Sequence, residues 1–253
     1  MVKLKIALIG YGKMGKEIEQ IAIDRGHTIV STIDPNNKEA QFKKIDDKSL
    51  KGVDVCIDFT HPDCAVQNVE IIADHGVNLV LGTTGWYDQM DRVRSIVQDK
   101  NIGFMWASNF SIGVNMFFRV VDAASQLVDK VPEYDVGGYE FHHNQKADSP
   151  SGTAKSIAEL IVKNIKRKKT INYDRVDRSI KPNELQFSSV RVGNVPGTHS
   201  VLFDSAADTI ELKHTARNRG GFALGAVMAA EFVHKKKGFF EIDQLMEDLI
   251  GGD

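Results

Sequence analysis

Cysteine is scarce in this chain: Cys56 and Cys64 are the two present among 253 residues. Two thiols cannot make a disulfide framework or a cysteine-rich metal centre. Cys56 falls in the apolar run 53–59 and reads as a small core residue. Long hydrophobic runs are missing as well. No stretch approaches the roughly 20 apolar residues that span a bilayer, and Val2-Lys3-Leu4-Lys5-Ile6 does not lead into an apolar segment with a cleavage site. An excess of one charge is absent too, since the formal net charge is −2. That balance gives no general attraction to nucleic acid or to acidic membranes. The one basic run, 163–169, ends an amphipathic helix, where cations favour the dipole. There is no internal repeat and no low-complexity tract. The expectation is a soluble protein of the reducing cytoplasm, with no nucleic-acid and no membrane partner.

What is present is alternation. Residues 4–9 form a nearly continuous apolar run, the mark of a parallel strand covered on both faces. Helical periodicity follows over 14–22, then strands over 27–33, 53–59, 77–81 and 103–107, with helices over 64–74 and 89–98. Repeated strand–helix units predict right-handed crossovers and a parallel sheet. After Asn109-Phe110-Ser111 the pattern changes to a long helix at 114–128, a strand running into His142 and a helix at 154–165. Residues 172–183 have little period and read as loop. Strands then crowd together at 185–192, 199–205 and 209–215, separated by turn signals, and suggest a mixed or antiparallel sheet. Helices over 222–235 and 242–249 close the chain. The expected fold class is α/β: a Rossmann-type nucleotide domain from 1–111 and 220–253, and a second α+β domain with a mixed sheet from 112–219.

The first chemical signal is Gly10-Tyr11-Gly12-Lys13-Met14-Gly15. Alone this spacing is common. Here it follows an apolar strand and opens a helix, and Asp34 stands at the end of the next strand. Gly10 permits the tight turn, Gly12 lets a pyrophosphate approach the backbone, and Gly15 lets the helix pack close to the sheet. Asp34 is placed to bind ribose hydroxyls. An acid there favours NADH, and Lys38 is the basic residue near enough to soften the repulsion of an NADPH phosphate. Ligands in such sheets lie beyond the carboxyl ends of the strands. Three further loops occupy that position: Asp58-Phe59-Thr60-His61, Gly82-Thr83-Thr84-Gly85 and Ala107-Ser108-Asn109-Phe110-Ser111. The second is expected to present two hydroxyls.

The second signal is the stretch from Glu140 through Phe141-His142-His143-Asn144-Gln145-Lys146-Ala147-Asp148-Ser149-Pro150 to Ser151-Gly152-Thr153-Ala154. A strand leads in and a helix leads out. A helix start offers free N–H groups and the positive end of the dipole, which suits an anion. Lys146 adds a point charge and a histidine adds a proton carrier near neutral pH. The same residues also read as an ordinary turn with Ser151 as N-cap. A metal is not expected, because His142 and His143 are adjacent on a strand and point to opposite faces.

Taken together, these segments resemble the 4-hydroxy-tetrahydrodipicolinate (dihydrodipicolinate) reductase family. The likeness runs through Gly10 to Gly15, Asp58-Phe59-Thr60, Gly82 to Gly85, Ala107 to Asn115 and Glu140 to Ala154. It continues through Arg191-Val192-Gly193, Gly197-Thr198-His199 and Arg219 to Ala226. Gln145 and Ala147 stand where other members often carry different side chains. The resemblance implies reduction of a cyclic unsaturated dicarboxylate by NADH or NADPH, in lysine and diaminopimelate synthesis. It implies His142 as proton donor, Lys146 as the essential cation, and Thr84, His143, Lys146, Ser151, Gly152 and Thr153 around the substrate. It also implies a homotetramer built through the second domain. The alternatives are another nicotinamide-dependent amino-acid or hydroxy-acid dehydrogenase, or a non-catalytic NAD sensor.

Overall fold

The structure is a computed structural model that describes residues 2–251. Residues 1, 252 and 253, at the outer ends of the expected nucleotide domain, lie outside the described residues. In chain order the elements are β1 (Lys5–Ile9), α1 (Lys13–Asp24), β2 (Thr28–Ile33), β3 (Val55–Asp58), α2 (Pro62–Asp74) and β4 (Asn78–Leu81). A 3₁₀ turn (Tyr87–Gln89) runs into α3 (Met90–Asp99), followed by β5 (Gly103–Trp106), α4 (Ile112–Val128), β6 (Asp135–His142) and α5 (Gly152–Asn164). The remainder is β7 (Thr170–Asn172), β8 (Glu184–Arg191), β9 (Thr198–Asp204), β10 (Thr209–Thr215), α6 (Gly220–Val233), β11 (Gly238–Glu241) and α7 (Ile242–Gly251). The chain divides into two compact units, Met1–Ile112 with Arg219–Asp253, and Gly113–Asn218.

The first unit holds a six-stranded sheet in the order β11-β5-β4-β3-β1-β2, with every strand pair parallel. The apolar run at its centre serves both faces. Leu4, Ile6 and Leu8 pack with Ile18 and Ala22 of α1 and with Ala223, Ala226, Val227 and Ala230 of α6. Ala7 and Ile9 turn the other way, to Val66, Val69 and Ile72 of α2 and Val93 and Val97 of α3. Successive strand residues alternate faces, so a strand sandwiched between helices must be apolar throughout. From β1 the chain moves outward to β2 and then back across to β3. The sheet order therefore reverses beside β1, and its loop lies at the switch point where open α/β sheets bind ligands.

Gly225 sets how closely α6 lies on the sheet. A Cβ built there would sit 1.7 Å from the carbonyl oxygen of Phe110. Two strands escaped the sequence reading. β11 adds the sixth strand beside β5, with Phe239 packed on Phe104 at 5.0 Å between ring centroids. Its four residues directly follow Lys235-Lys236-Lys237, too short a run for alternation to declare a strand. β7 is a three-residue edge strand parallel to the start of β8, at the margin of the segment read as loop.

The second unit is a five-stranded mixed sheet, β10-β9-β6-β8-β7. Central β6 runs antiparallel to β9 and parallel to β8. Its alternate residues Val136, Gly138, Glu140 and His142 are buried, while Gly137, Tyr139 and Phe141 are only partly covered. The buried face packs Phe187, Val201 and Phe203 against Phe117 and Val121 of α4 and Ile157, Ala158 and Ile161 of α5.

Candidate active site

In the first unit, β1 ends in a glycine loop with little freedom. Gly10 has φ +84°, and a Cβ on it would lie 2.3 Å from the carbonyl oxygen of Phe59. A Cβ on Gly15 would lie 2.4 Å from the carbonyl oxygen of Gly10. Packing alone therefore demands both glycines. Gly12 differs, because a Cβ there would meet nothing within 4 Å. It is the N-cap of α1 with no side-chain capping bond, so the first-turn N–H groups of Lys13, Met14 and Gly15 have no helical acceptor. A diphosphate fits this bare helix start, where donors and dipole face the same way.

Asp34 is fixed beside that loop. One carboxylate oxygen accepts from Tyr11 N–H at 3.0 Å, and the other accepts from Asn36 and Asn37 N–H at 2.8 and 2.9 Å. Partial burial pushes its pKa up, but these backbone donors and Lys43 outweigh burial and hold the carboxyl below its ordinary value. It is therefore an anion, and the oxygen that accepts from Tyr11 keeps capacity for a ribose hydroxyl. The basic residue near it is Lys43 rather than Lys38. Phe42 doubles back to bridge Ile33, and Lys43 donates to the carbonyl oxygens of Asp34, at 3.4 Å, and of Asn37. Tyr11 donates its hydroxyl to Glu19, and chiefly for that reason its own pKa is raised to about 12.

The two neighbouring loops are tied together by a carboxylate that sequence reasoning left unused. Asp58 is fully buried at the end of β3. It accepts from Thr60 N–H (3.0 Å), Thr60 hydroxyl (2.7 Å), Thr83 hydroxyl (3.0 Å) and Asn68 (2.8 Å). Burial raises its pKa, with these donors opposing. The expectation that residues 82–85 present two hydroxyls is thereby corrected. Thr83 is turned inward to Asp58 and Thr60, and Thr84 alone is exposed. Phe59 lies over Gly82 and contacts Phe110 at 6.1 Å between centroids. Phe110 is itself buried in the core, so its side chain supports the loop. Ser108 is exposed, and Asn109 accepts from Ser111 N–H at 2.8 Å.

In the second unit His142 sits in a buried polar cluster. Glu140 is 0% exposed. One of its oxygens accepts from Ser151 N–H (2.9 Å), Ser189 hydroxyl (2.9 Å) and Arg191 (3.0 Å). The other accepts from the Ser151 hydroxyl and lies 3.3 Å from His199 Nε2. Burial pushes the carboxyl up, yet His199, Ser151 and Ser189 hold it far below the ordinary carboxylate range. His142 Nδ1 stands 3.2 Å from the same oxygen. The two imidazoles meet edge to face at 5.2 Å. Burial, countered by Glu140 but reinforced by His199, Lys146 and Arg191, lowers the pKa of His142 to about 4. A Cβ on Gly197, whose φ is +151°, would come within 3.0 Å of His142 Nε2.

Lys146 is not free. It pairs with Asp148 at 2.7 Å, and this bond is the main reason the Asp148 carboxyl falls below its usual value. His143 is half-buried on the other side of the strand end, while Gly152 is exposed and Thr153 half-buried at the helix start. Ser151 departs from its expected place around the substrate. Its hydroxyl caps Ala154 N–H at 3.1 Å, and both its N–H and O–H are spent on Glu140.

His199 and Arg191 were missed because only the strand register brings them in, Glu140 opposite His199 and His142 opposite Arg191. Donor atoms of Glu140, His142 and His199 all lie within 4.8 Å of one another, close enough for a metal ion. Five donors already crowd a carboxylate with about four lone-pair sites, and one is a guanidinium. A cation would have to break that set.

A glycine loop at the switch point of a parallel sheet, with an acid on the next strand and a buried His–Glu cluster in a second mixed-sheet unit, defines a nicotinamide-dependent oxidoreductase. Family models agree along nearly the whole length. The dihydrodipicolinate reductase N-terminal model matches residues 4–110 and the C-terminal model residues 113–246. The chain belongs to the dihydrodipicolinate reductase family. A 4-hydroxy-tetrahydrodipicolinate reductase of Christiangramia forsetii is 39% identical over 97% of this chain and 99% of that protein. One from Archaeoglobus fulgidus is 37% identical over 96% and 100%. The dipicolinate-bound dihydrodipicolinate reductase from Paenisporosarcina sp. TG-14 superposes with a TM-score of 0.77 at 23% identity, covering 95% of this chain and 98% of that one.

Proposed function

We propose that the protein reduces 4-hydroxy-tetrahydrodipicolinate to tetrahydrodipicolinate for lysine and diaminopimelate synthesis, with NADH preferred over NADPH. The observation that carries this is the His142–Glu140 cluster beside Lys146 and the α5 start, on a chain whose relatives at 37–39% identity bear that enzyme's name. A nicotinamide dinucleotide would be held through its diphosphate and adenosine ribose at Gly10, Tyr11, Gly12, Lys13, Met14, Gly15 and Asp34, with Phe59, Thr60, Gly82, Thr83, Thr84, Ser108, Asn109 and Phe110 shaping its surroundings, and would supply hydride. Loss of the 4-hydroxyl as water leaves a conjugated imine; adding hydride to that imine pushes an electron pair onto the ring, and a positioned acid must protonate it.

His142 is that acid. In the free protein it is neutral at pH 7, given its pKa of about 4. Two substrate carboxylates arriving beside it would raise its proton affinity, because nearby negative charge favours imidazolium. Lys146 exchanges Asp148 for one carboxylate, and the N–H groups of Gly152 and Thr153 take up charge at the helix start. His143 and Thr84 complete the substrate contacts. The second unit also carries Val190 exposed (42%) on β8, beside partly covered Tyr139 and Phe141 on the same face of β6. That apolar sheet surface supports a homotetramer. The setting is the cytoplasm, and no helix among the described residues is long and apolar enough to cross a membrane.

The test is steady-state turnover with freshly made substrate and NADH. His142→Gln lowers kcat by about 10²–10⁴-fold, the worth of general-acid help, and Lys146→Ala is at least as harmful. Both variants keep NADH binding. Near-full activity in either variant removes the role given to that residue.

A further inference from the structure

One fully buried, strongly bonded carboxylate has no task in that mechanism. We propose that Glu140 is the positioning residue of the proton donor. It holds the neutral His142 ring with its proton on Nδ1 and stabilises the imidazolium that delivers a proton from Nε2, while His199 and Ser151 keep the carboxylate in place. This rests on His142 being the acid.

The geometry carries it. Glu140 and His142 are two residues apart on β6, so both side chains face the same way. The Glu140 oxygen reaches His142 Nδ1 at 3.2 Å. Nδ1 is buried, and none of the hydrogen bonds of the described residues satisfies it. A buried ring nitrogen this close to an anion must carry its hydrogen toward that anion, since two lone pairs would repel. The ring is within reach of the carboxylate but off the line of a hydrogen bond, and catalytic bonds often tighten only when substrate binds. Nε2 lies on the opposite side of the ring, toward Gly197, where a side chain would leave it no room.

The carboxylate cannot swing away to find other partners. Ser151 holds both oxygens from the α5 start, Ser189 and Arg191 hold one from β8, and His199 from β9 approaches the other. The charged groups facing His142 are thus Glu140 from its own strand, His199 from β9, Arg191 from β8 and Lys146 from the loop after β6. Glu140 is the one anion among them. Without it, three cationic or potentially cationic neighbours would oppose protonation of His142 unbalanced. The same logic makes a buried carboxylate orient and stabilise a catalytic imidazole in hydrolases.

Two measurements decide it. In Glu140→Gln, kcat falls by between about tenfold and the full 10²–10⁴-fold worth of the acid, while KM for substrate and for NADH changes by less than about twofold, as for an interaction made only in the transition state. The pH at which kcat declines on raising pH moves downward, because the anion that favours imidazolium is gone. The double variant His142→Gln/Glu140→Gln is no slower than His142→Gln alone, since residues acting as a unit are non-additive. A double variant slowed by the product of the two single effects overturns the proposal and leaves His142 as the acid. A His142→Gln variant with full activity removes the acid itself, a different result. Because Glu140→Gln loosens five bonds and can fail to fold, the unmodified protein supplies the second measurement. Its ¹⁵N-labelled imidazole signals, assigned through the one missing in His142→Gln, show His142 protonated on Nδ1 at neutral pH. A ring protonated on Nε2 overturns the proposal.

Discussion

Replacing Asp34 with alanine isolates how the cofactor is chosen. The carboxylate is held within the glycine loop by Tyr11, Asn36 and Asn37 N–H groups at 2.8–3.0 Å, so its charge stays where an adenosine ribose would meet it. A 2′-phosphate about 4 Å away would be repelled by roughly 1–4 kcal/mol, depending on the effective dielectric. Asp34 is only partly buried, which favours the low end, and about 1 kcal/mol is close to fivefold in affinity. Lys43 at the same turn offsets part of that repulsion. The expected outcome is a several-fold preference for NADH in the unmodified protein, with NADPH still accepted. Asp34→Ala removes the repulsion and also removes the acceptor for ribose hydroxyls, a charged hydrogen bond worth about 1.5–3 kcal/mol. The two effects act in the same direction on the ratio of kcat/KM values, which shifts toward NADPH by about 10- to 1,000-fold. Loss of the three backbone bonds loosens the loop for both cofactors alike and cancels in that ratio. Lys43→Ala moves the ratio the other way. Initial rates with each cofactor, followed by loss of reduced-nicotinamide absorbance, provide the values. A higher kcat/KM for NADPH in the unmodified protein, or an unmoved ratio in Asp34→Ala, refutes the reasoning.

Two further outcomes test the scaffold. Glu184, bonded first by Arg178 and then by Lys181 N–H, has its carboxyl lowered from 4.5 to about 2. A depressed acid contributes stability that is fully present above its unfolded value and lost as pH falls through its folded one. Glu184→Gln therefore melts earlier than the unmodified protein at neutral pH, and the gap in Tm closes as pH falls from about 4.5 toward about 2; a gap independent of pH contradicts the assignment. Gly225→Ala sets a helix-propensity gain of about 1 kcal/mol against a Cβ 1.7 Å from the Phe110 carbonyl. The clash is with backbone and cannot relax cheaply, so denaturant unfolding shows a net loss of about 1–3 kcal/mol, and a neutral or stabilising result contradicts the packing described.

Much of this was legible in the chain, and what was not has physical reasons. Gly10, Gly15 and Asp34 are local: a turn, a close approach and a strand end are visible in neighbouring residues. The residues around His142 are not local. His199 arrives through antiparallel pairing of β6 with β9 and Arg191 through parallel pairing with β8, and register is a property of the assembled sheet. Ser151 is the N-cap its place in the sequence suggests, but that its hydroxyl, like that of Thr83, also bonds a buried carboxylate is not visible there. Lys43 replaced Lys38 because the segment after β2 folds back on the strand, which no periodicity foretells.

The way the first unit is assembled has a consequence for the order in which this protein can fold. Its sheet needs β11 as the neighbour of β5, and one of its two apolar layers needs Ala223, Ala226, Val227, Ala230 and Val233 from α6. All of these are made after the whole of Gly113–Asn218. As the chain leaves the ribosome, residues 1–112 would present a parallel sheet with one face covered by α1 alone and one edge open, the kind of surface that invites association. The second unit, a single continuous segment, can close its core first. Synthesis thus runs against the usual rule that the N-terminal unit completes earliest, and β1 to β5 wait for the last thirty or so residues before the α1 face of the sheet is fully covered.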